Sequence, residues 1–146
     1  MNVQTAIYLP MQGARFCDGV VRFWRKYATF SGRASRSEYW WAILFLAICG
    51  TVIEVVVVAM TGLGTGGSKP LSEWESYLVP PLIGVPALIL FLPNLAVTVR
   101  RLHDTNRRGA FVLTGVIPVV GLVVLFVLLL FQSDPAGVRF DRRVSS

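Results

Sequence analysis

A ten-residue segment rich in arginine lies between two apolar segments that are each long enough to cross a lipid bilayer. The segment, residues 100–109, holds four arginines, the single histidine of the chain and one carboxylate. Residues 77–99 precede it and residues 111–131 follow it, and both are predominantly apolar. Because about 20 apolar residues in a helix span a hydrocarbon core of about 30 Å, the pattern predicts a short polar loop between two membrane helices.

The composition favours a membrane protein over a soluble domain. Of the 146 residues, 54% are hydrophobic and 15% are charged, whereas a soluble domain carries about 25% charged residues. A further apolar segment covers residues 40–60. The net charge is +6, and because most cations flank the apolar segments, lipid headgroups are favoured over nucleic acid. We therefore predict an all-α integral membrane protein with three transmembrane helices, the lipid bilayer as its surroundings and no nucleic-acid partner.

The chain is expected to contain one membrane domain between two polar ends. We predict disorder in residues 1–14, a single membrane domain over residues 15–135 and a polar, poorly ordered tail over residues 136–146. The spans are expected at about residues 40–60, 77–99 and 111–131.

An amphipathic helix at about residues 15–30 is predicted to precede the first span. Aromatic residues recur on one of its faces, while Arg22, Arg25 and Lys26 fall largely on the other. Such a helix is typical of the headgroup plane of a membrane. The alternative is that its aromatic face packs on the rest of the protein.

The distribution of cations predicts the orientation in the membrane. Six Lys and Arg residues between residues 15 and 36 precede the first span, only Lys69 lies between the first two spans, and four arginines follow the second. The N-terminus and residues 100–109 are therefore expected in the cytoplasm. A full third span would then place the tail outside, despite its three arginines. We favour the full span because residues 121–131 alone are too short to cross, and a re-entrant hairpin at Pro118 is the alternative.

Two groups of polar residues should meet at the cytoplasmic face, since one precedes the first span and the other follows the second. We expect Asp104 to pair with an arginine of the first group, Arg33 or Arg36, and Glu38 to pair with Arg100 or Arg101. Ser35 or Ser37 is expected to cap the first span, with Glu38 in its first turn. We call the whole set the clasp: Arg33, Arg36, Glu38, Arg100, Arg101, His103 and Asp104.

The clasp admits three interpretations. It is a structural network that also sets the topology, or it forms a pocket for an anionic headgroup with Tyr39, Trp40 and Trp41 at the acyl boundary. The third is acid–base catalysis by His103 and Asp104, which is disfavoured because adjacent helical residues seldom face each other. One histidine without a cysteine cluster gives no metal site. We predict no enzyme and no cofactor, and either anionic phospholipid, a homo-oligomer or another membrane protein as partner.

Two polar residues inside the predicted spans suggest an alternative function. Glu54 interrupts the first span and Asn94 the second. Polar groups within a bilayer are candidates for function, which suggests a small oligomeric transporter or channel subunit. The simpler interpretation is that Glu54 reaches water near the end of its span, or stays protonated, and that Asn94 packs against a neighbouring helix.

Three sequence motifs resemble those of a known family. Residues 30–40 are similar to F-x-G-R-x-x-R-x-E-Y-W, residues 93–104 to P-x-x-A followed by R-R-L-H-D, and residues 117–121 to I-P-x-x-G. Together they resemble the YhaH-like bacterial inner-membrane proteins, domain of unknown function 805 (DUF805), over roughly residues 20–135. The resemblance implies a multi-pass protein of the bacterial inner (plasma) membrane, and it implies no particular activity.

Overall fold

The computed structural model describes residues 10–61 and 72–141. The regular elements within these ranges are all helices, and no strand is present there. Two compact units are present: the arginine-rich unit comprises Met1–Ile43 with Leu92–Ser146, and the apolar unit comprises Leu44–Phe91. The all-α prediction is confirmed. In chain order the elements are α1 (Phe16–Arg25), α2 (Arg36–Thr61), α3 (Glu73–Asp104), a first 3-10 helix (Gly109–Val116), α4 (Val120–Leu130) and a second 3-10 helix (Pro135–Phe140).

Two helices, α2 and α3, are long and apolar enough to cross a membrane. They contain 26 and 32 residues, which correspond to about 39 and 48 Å along the helix axis. The predicted spans at residues 40–60 and 77–99 lie within them. Large apolar side chains such as Val55 and Leu88 are exposed on these helices. Such side chains are suited to contact with lipid tails.

The third apolar segment is not the single helix that we predicted over residues 111–131. It consists of the first 3-10 helix, a bend and α4, which has 11 residues. At 1.5 Å per residue α4 is about 16 Å long, roughly half of a hydrocarbon core. The side chains of Leu122 and Leu125 lie beside Gly115, so α4 packs back on the first 3-10 helix. The segment therefore folds as a hairpin of two short helices and not as one helix, and whether it crosses the membrane stays a prediction.

The bend of this hairpin is a γ-turn centred on Val119. Val119 has φ 60° and ψ −69°, and the amide of Val120 donates to the carbonyl of Pro118 at 2.7 Å. This conformation is strained for a β-branched residue. A side chain at Gly121 would collide with the carbonyl of Thr114, so only glycine allows the two arms to meet this closely. The I-P-x-x-G motif thus builds the turn.

Helix α1 packs on the start of α2. This agrees with the alternative interpretation, in which the aromatic face of the amphipathic segment packs on the rest of the protein. The ring of Phe16 meets that of Trp41 edge to face at 5.8 Å. Gly19 lies so close to the same tryptophan that an added Cβ would be 2.6 Å from its Cβ. The helix is shorter than predicted, and Arg22 and Lys26 turn inward to a buried carboxylate rather than outward. Its placement in the headgroup plane stays a prediction.

The described parts of both chain ends make hydrogen bonds with the rest of the chain, and the disorder predicted for residues 1–14 and 136–146 stays a prediction. The amide of Met11 donates to the carboxylate of Glu38 at 3.0 Å, and Nε1 of Trp41 donates to the carbonyl of Ala14 at 2.7 Å. In the tail, the side chain of Asp134 caps the second 3-10 helix. The rest of the predicted disordered N-terminus, most of the loop between the first two spans and the end of the tail lie outside the described residues (1–9, 62–71 and 142–146).

Candidate functional site

Glu38 and Ser35 cap the N-terminus of α2 reciprocally. The amide of Glu38 donates to Oγ of Ser35 at 3.2 Å, and the amide of Ser35 donates to the Glu38 carboxylate at 3.4 Å. This capping box follows from the spacing Ser-x-x-Glu. Ser35 is therefore the cap, whereas Ser37 accepts the amide of Ala14. The box holds the carboxylate, which is 3% exposed, at a helix end whose dipole favours negative charge.

Three cations surround the Glu38 carboxylate. Nη1 of Arg22 lies 3.2 Å and Nζ of Lys26 lies 3.7 Å from its Oε1. The third cation, Arg100, is 1% exposed, and its charge acts on Lys26. Its Nε donates to the carbonyl of Ala96 at 3.2 Å. We call Arg22, Lys26, Arg100 and Glu38 the Glu38 cluster, which carries three positive charges for one negative charge.

Lys26 is the least satisfied member of the Glu38 cluster. Its side chain is 2% exposed, and Nζ is one of the buried polar atoms that have no hydrogen-bond partner within the described residues. The 3.7 Å to Glu38 is an ion-pair distance, too long for a hydrogen bond. Burial lowers the pKa of Lys26 to about 8; the charge of Glu38 opposes this, and the charges of Arg100 and Arg22 add to it.

We expect the free energy of unfolding to rise as the pH increases from about 8 to about 10. In the unfolded chain Lys26 regains its ordinary pKa of 10.5, so the unfolded state binds more protons than the folded state in this window. The full shift corresponds to about 3 kcal/mol at most. Thermal unfolding in a nonionic detergent checks this. Lys26→Met should flatten the rise, whereas Arg25→Gln, at an exposed position of the same helix, should keep it. An unchanged slope in Lys26→Met would contradict the assignment.

A second cluster joins the end of α3 to the end of α4 through Arg101. Its guanidinium donates to the carboxylate of Asp104, to the carbonyl of Leu129 at 3.1 Å and to the carbonyl of Phe131. The last carbonyls of a helix have no donors within the helix, and cations are favourable there. Arg101 therefore caps α4 while it neutralises Asp104.

Arg36 caps the same helix end from the start of α2. It donates to the carbonyl of Leu130 at 2.6 Å and to that of Phe131 at 3.2 Å. On the other side, Oγ of Ser133 donates to the carboxylate of Asp104. The C-terminus of α4 is thus held within the arginine-rich unit by two guanidinium groups and the residues that follow it.

A third set of contacts holds the tail of the chain in place. Arg33 makes a two-pronged ion pair with Asp141, with N–O distances of 2.9 and 2.7 Å. The ring of His103 stacks on Phe140 at 4.2 Å, with 4° between the planes. The amide of Gly32 donates to the carbonyl of Phe140 at 3.0 Å, and Nδ1 of His103 lies 3.2 Å from the carbonyl of Gly32. These contacts hold the second 3-10 helix against the end of α3.

Comparison with known proteins identifies the family. Residues 27–142 match the family described as "Protein of unknown function (DUF805)". The chain belongs to the DUF805 family. It is 36% identical over 116 residues to the inner membrane protein YhaI of Escherichia coli K12, which covers 80% of this chain and 86% of YhaI. It is 31% identical over 123 residues to the inner membrane protein YhaH of the same strain, which covers 84% of this chain and 93% of YhaH. No solved structure matches the chain.

This DUF805 protein is therefore a helical integral membrane protein of the bacterial inner membrane. All three motifs lie in the arginine-rich unit. The first motif supplies Arg33, Arg36 and the capping box, and the second supplies the polar end of α3. The third is the turn of the hairpin. The three motifs of this sequence thus coincide with the parts that hold this unit together.

The DUF805 chain brings the seven clasp residues into one unit but pairs them differently from our prediction. Asp104 pairs with Arg101 of its own helix, because residues three apart share a helix face, and not with Arg33 or Arg36. The ion pairs of Glu38 are with Arg22 and Lys26, because α1 lies over the start of α2. The predicted pairing of Asp104 was wrong, whereas Arg100, one of the two partners predicted for Glu38, does interact with that carboxylate through its charge.

Four residues of the DUF805 site were missed by the sequence analysis. Arg22 and Lys26 pair with Glu38, Ser133 bonds to Asp104, and Asp141 pairs with Arg33. For Lys26 a signal existed, because Gly19, Phe23 and Lys26 recur at helical spacing and are all buried. Ser133 and Asp141 lie in a stretch that carries no periodic pattern.

The side chains of His103 and Asp104 have separate partners. Asp104 bonds to Arg101 and Ser133, whereas His103 bonds to Gly32 and stacks on Phe140. The pair therefore lacks the mutual hydrogen bond that an acid–base dyad needs. In the parts of the chain that the structure describes, no group of three His, Cys, Asp or Glu side chains is placed to hold a metal ion.

The two polar residues of the predicted spans lie in different units. Glu54 is exposed and lines a groove of the apolar unit. Asn94 belongs to the arginine-rich unit; its carbonyl accepts the hydroxyl of Thr98 at 2.8 Å, and its Oδ1 is buried without a partner among the described residues. The transporter or channel function of this pair stays a prediction.

Proposed function

We propose that this DUF805 protein binds the phosphate of an anionic lipid at the Glu38 cluster, on the cytoplasmic face of the inner membrane. The observation that carries the proposal is the ammonium group of Lys26, which is buried without a hydrogen-bond partner among the described residues and lies beside two further cations and the carboxylate of Glu38. A buried cation without a full set of acceptors is costly, and a phosphate oxygen would supply the acceptor that Nζ of Lys26 lacks. Guanidinium groups add the forked donors that suit phosphate.

The proposed lipid site includes only some of the clasp residues. Arg33, Arg36 and Arg101 are engaged with Asp141, with the end of α4 and with Asp104. These three arginines therefore serve the structure. Within the clasp this leaves Arg100 as the arginine for the ligand, and Arg22 of α1 and Lys26, the residue after α1, are the two other cations.

The Glu38 cluster reaches the surface through Arg22, whose side chain is 15% exposed. Its neighbours on α1, Val21 and Trp24, are exposed apolar side chains. An aromatic and an aliphatic side chain beside a cation are the surroundings expected where a headgroup meets its acyl chains. This supports a lipid, rather than a free anion, as the ligand.

The proposal includes a topology in which the hairpin of residues 109–131 enters the membrane and returns to the cytoplasmic face. The contacts of Arg101 with Leu129 and of Arg36 with Leu130 support it, since they hold the end of α4 beside the end of α3 and the start of α2. The tail with its three arginines is then cytoplasmic, together with the other arginine-rich segments. This removes the conflict in charge that a full third span creates.

Native mass spectrometry with co-purified and added lipid tests the proposal. The parent should retain phosphatidylglycerol at a concentration at least about tenfold below that needed by Lys26→Met or Arg100→Gln, since each variant loses one charged contact. Arg25→Gln and Arg108→Gln are the matched controls, because both remove an exposed cation from a neighbouring position. Phosphatidylcholine and inorganic phosphate are the comparison ligands, and neither should replace phosphatidylglycerol.

Two outcomes would overturn the proposal. One is equal retention of phosphatidylglycerol by the parent and by Lys26→Met. The other is an equal loss in the control variants, which would indicate a diffuse electrostatic attraction. Without anionic lipid, Lys26→Met should be at least as stable as the parent, because a methionine removes the cost of the buried charge. The same spectra report the number of subunits and any protein partner.

A further inference from the structure

The apolar unit carries a groove with a single charged residue. The groove has a volume of about 410 Å³ and is lined by residues of both α2 and α3. Seven of its eight lining residues are aliphatic or glycine, and the eighth is Glu54. A volume of this size is within the range of sites for small molecules, which are mostly apolar with a few polar groups that fix the orientation of the ligand.

Glu54 lies seven residues before Thr61, the end of α2, and so about 10 Å from that end. A charge at this depth is costly unless it has a partner of opposite sign or reaches water. The other lining residues, from Leu46 to Val57 on α2 and from Ile83 to Leu90 on α3, offer no such partner. The complementary occupant therefore has a positively charged head and an apolar chain.

We infer that this groove binds a single-chain ammonium amphiphile, with the ammonium on the carboxylate of Glu54 and the alkyl chain along the aliphatic lining. A phospholipid with an amino headgroup fits less well, because none of the eight lining residues is basic and its phosphate would lie beside a carboxylate. A neutral alcohol would fill the apolar part but leave Glu54 without a counter-charge. The charge of the occupant is thus the decisive property.

Gly50 makes room for the alkyl chain. It lines the groove, and a Cβ added there would meet no atom within 4 Å. A larger side chain at this position therefore meets no clash at its Cβ and adds volume to the lining of the groove. Ala87 lines the groove from α3, so a larger side chain at Ala87 should narrow the groove from the other helix.

The experiment measures binding of dodecylammonium to the full chain in a nonionic detergent by native mass spectrometry, with dodecanol as the neutral analogue. The parent should bind dodecylammonium at a concentration at least about tenfold below that needed by Glu54→Gln, because a charge-assisted hydrogen bond is lost. Glu73→Gln removes an exposed carboxylate at the start of α3, outside the groove, and should bind like the parent. Gly50→Leu and Ala87→Leu should weaken the binding of both compounds.

Three results would overturn the inference. Equal binding of dodecylammonium by Glu54→Gln and the parent would show that the carboxylate has no part in it. Equal affinity of the parent for dodecanol and dodecylammonium would show that the charge of the ligand has no part in binding. Full binding by correctly folded Gly50→Leu and Ala87→Leu would place the amine outside the groove. Thermal unfolding of each variant establishes that it is folded.

Discussion

Glu38→Gln is expected to be the most destabilising single substitution at an ionisable residue of this protein. The change removes the carboxylate that Arg22 and Lys26 contact, and it leaves the buried Lys26 and Arg100 beside the half-buried Arg22 without this counter-charge. Loss of one partner from a buried ion pair costs about 3–5 kcal/mol. Glutamine at this position still accepts the amide of Ser35, so the capping box survives and the loss is electrostatic. Thermal unfolding in a nonionic detergent measures it.

A second substitution separates the loss of charge from a general defect in packing. Glu38→Gln combined with Lys26→Met should recover part of the stability, because one of the uncompensated cations is removed. Glu73→Gln is the control for the same change at an exposed helix start and should leave the unfolding temperature unaltered. If the double variant were as unstable as Glu38→Gln alone, or less stable, the surplus of positive charge would not be the cause.

Arg101→Gln is expected to have the second-largest effect, and to act on the hairpin. The guanidinium is fully buried and bonds to Asp104, Leu129 and Phe131 at once. Its removal leaves a buried carboxylate without its counter-charge and uncaps the end of α4, at a cost of about 3–5 kcal/mol. We expect a lower unfolding temperature together with faster proteolysis after residue 131. Both are measured on the purified protein.

Three further variants serve as controls for the prediction on Arg101→Gln. Arg108→Gln removes an exposed arginine only seven residues further along the chain and should change neither property. Arg101→Lys should not restore the parent, because an ammonium cannot reproduce a fork that reaches a carboxylate and two carbonyls. Asp104→Asn added to Arg101→Gln should restore part of the stability, because the unpaired carboxylate is then gone. A proteolysis rate in Arg101→Gln equal to that of the parent would contradict the role of this residue in holding α4.

The sequence predicted the parts of this structure that depend on local patterns. Two long apolar helices followed from the length of the apolar segments at residues 40–60 and 77–99. The cap of α2 was predicted as Ser35 or Ser37, with Glu38 in the first turn, and the structure has Ser35. Both features need only residues that are close in the chain, so one sequence suffices to find them.

What the sequence did not predict depends on contacts between distant residues. Arginine pairs equally well with any carboxylate within reach, so the choice of Asp141 for Arg33, over 100 residues away, has no local signature. The hairpin was weighed against a full span by length alone, whereas its turn depends on the close approach of Gly121 to Thr114. Helix α1 was expected in the headgroup plane, with packing on the rest of the protein as the alternative, and the start of α2 provides such a packing surface at Trp41.

The side of the membrane on which the tail lies tests the central claim, that residues 109–131 turn back to the arginine-rich face. In a background with Cys17→Ser and Cys49→Ala, one cysteine is introduced at Val138, which is exposed. Arg108→Cys serves as the cytoplasmic reference and Ser68→Cys as the external one. A membrane-impermeant maleimide is applied to spheroplasts before and after lysis. The account predicts that Val138→Cys reacts only after lysis, like Arg108→Cys. Labelling of Val138→Cys in intact spheroplasts, like Ser68→Cys, would contradict it.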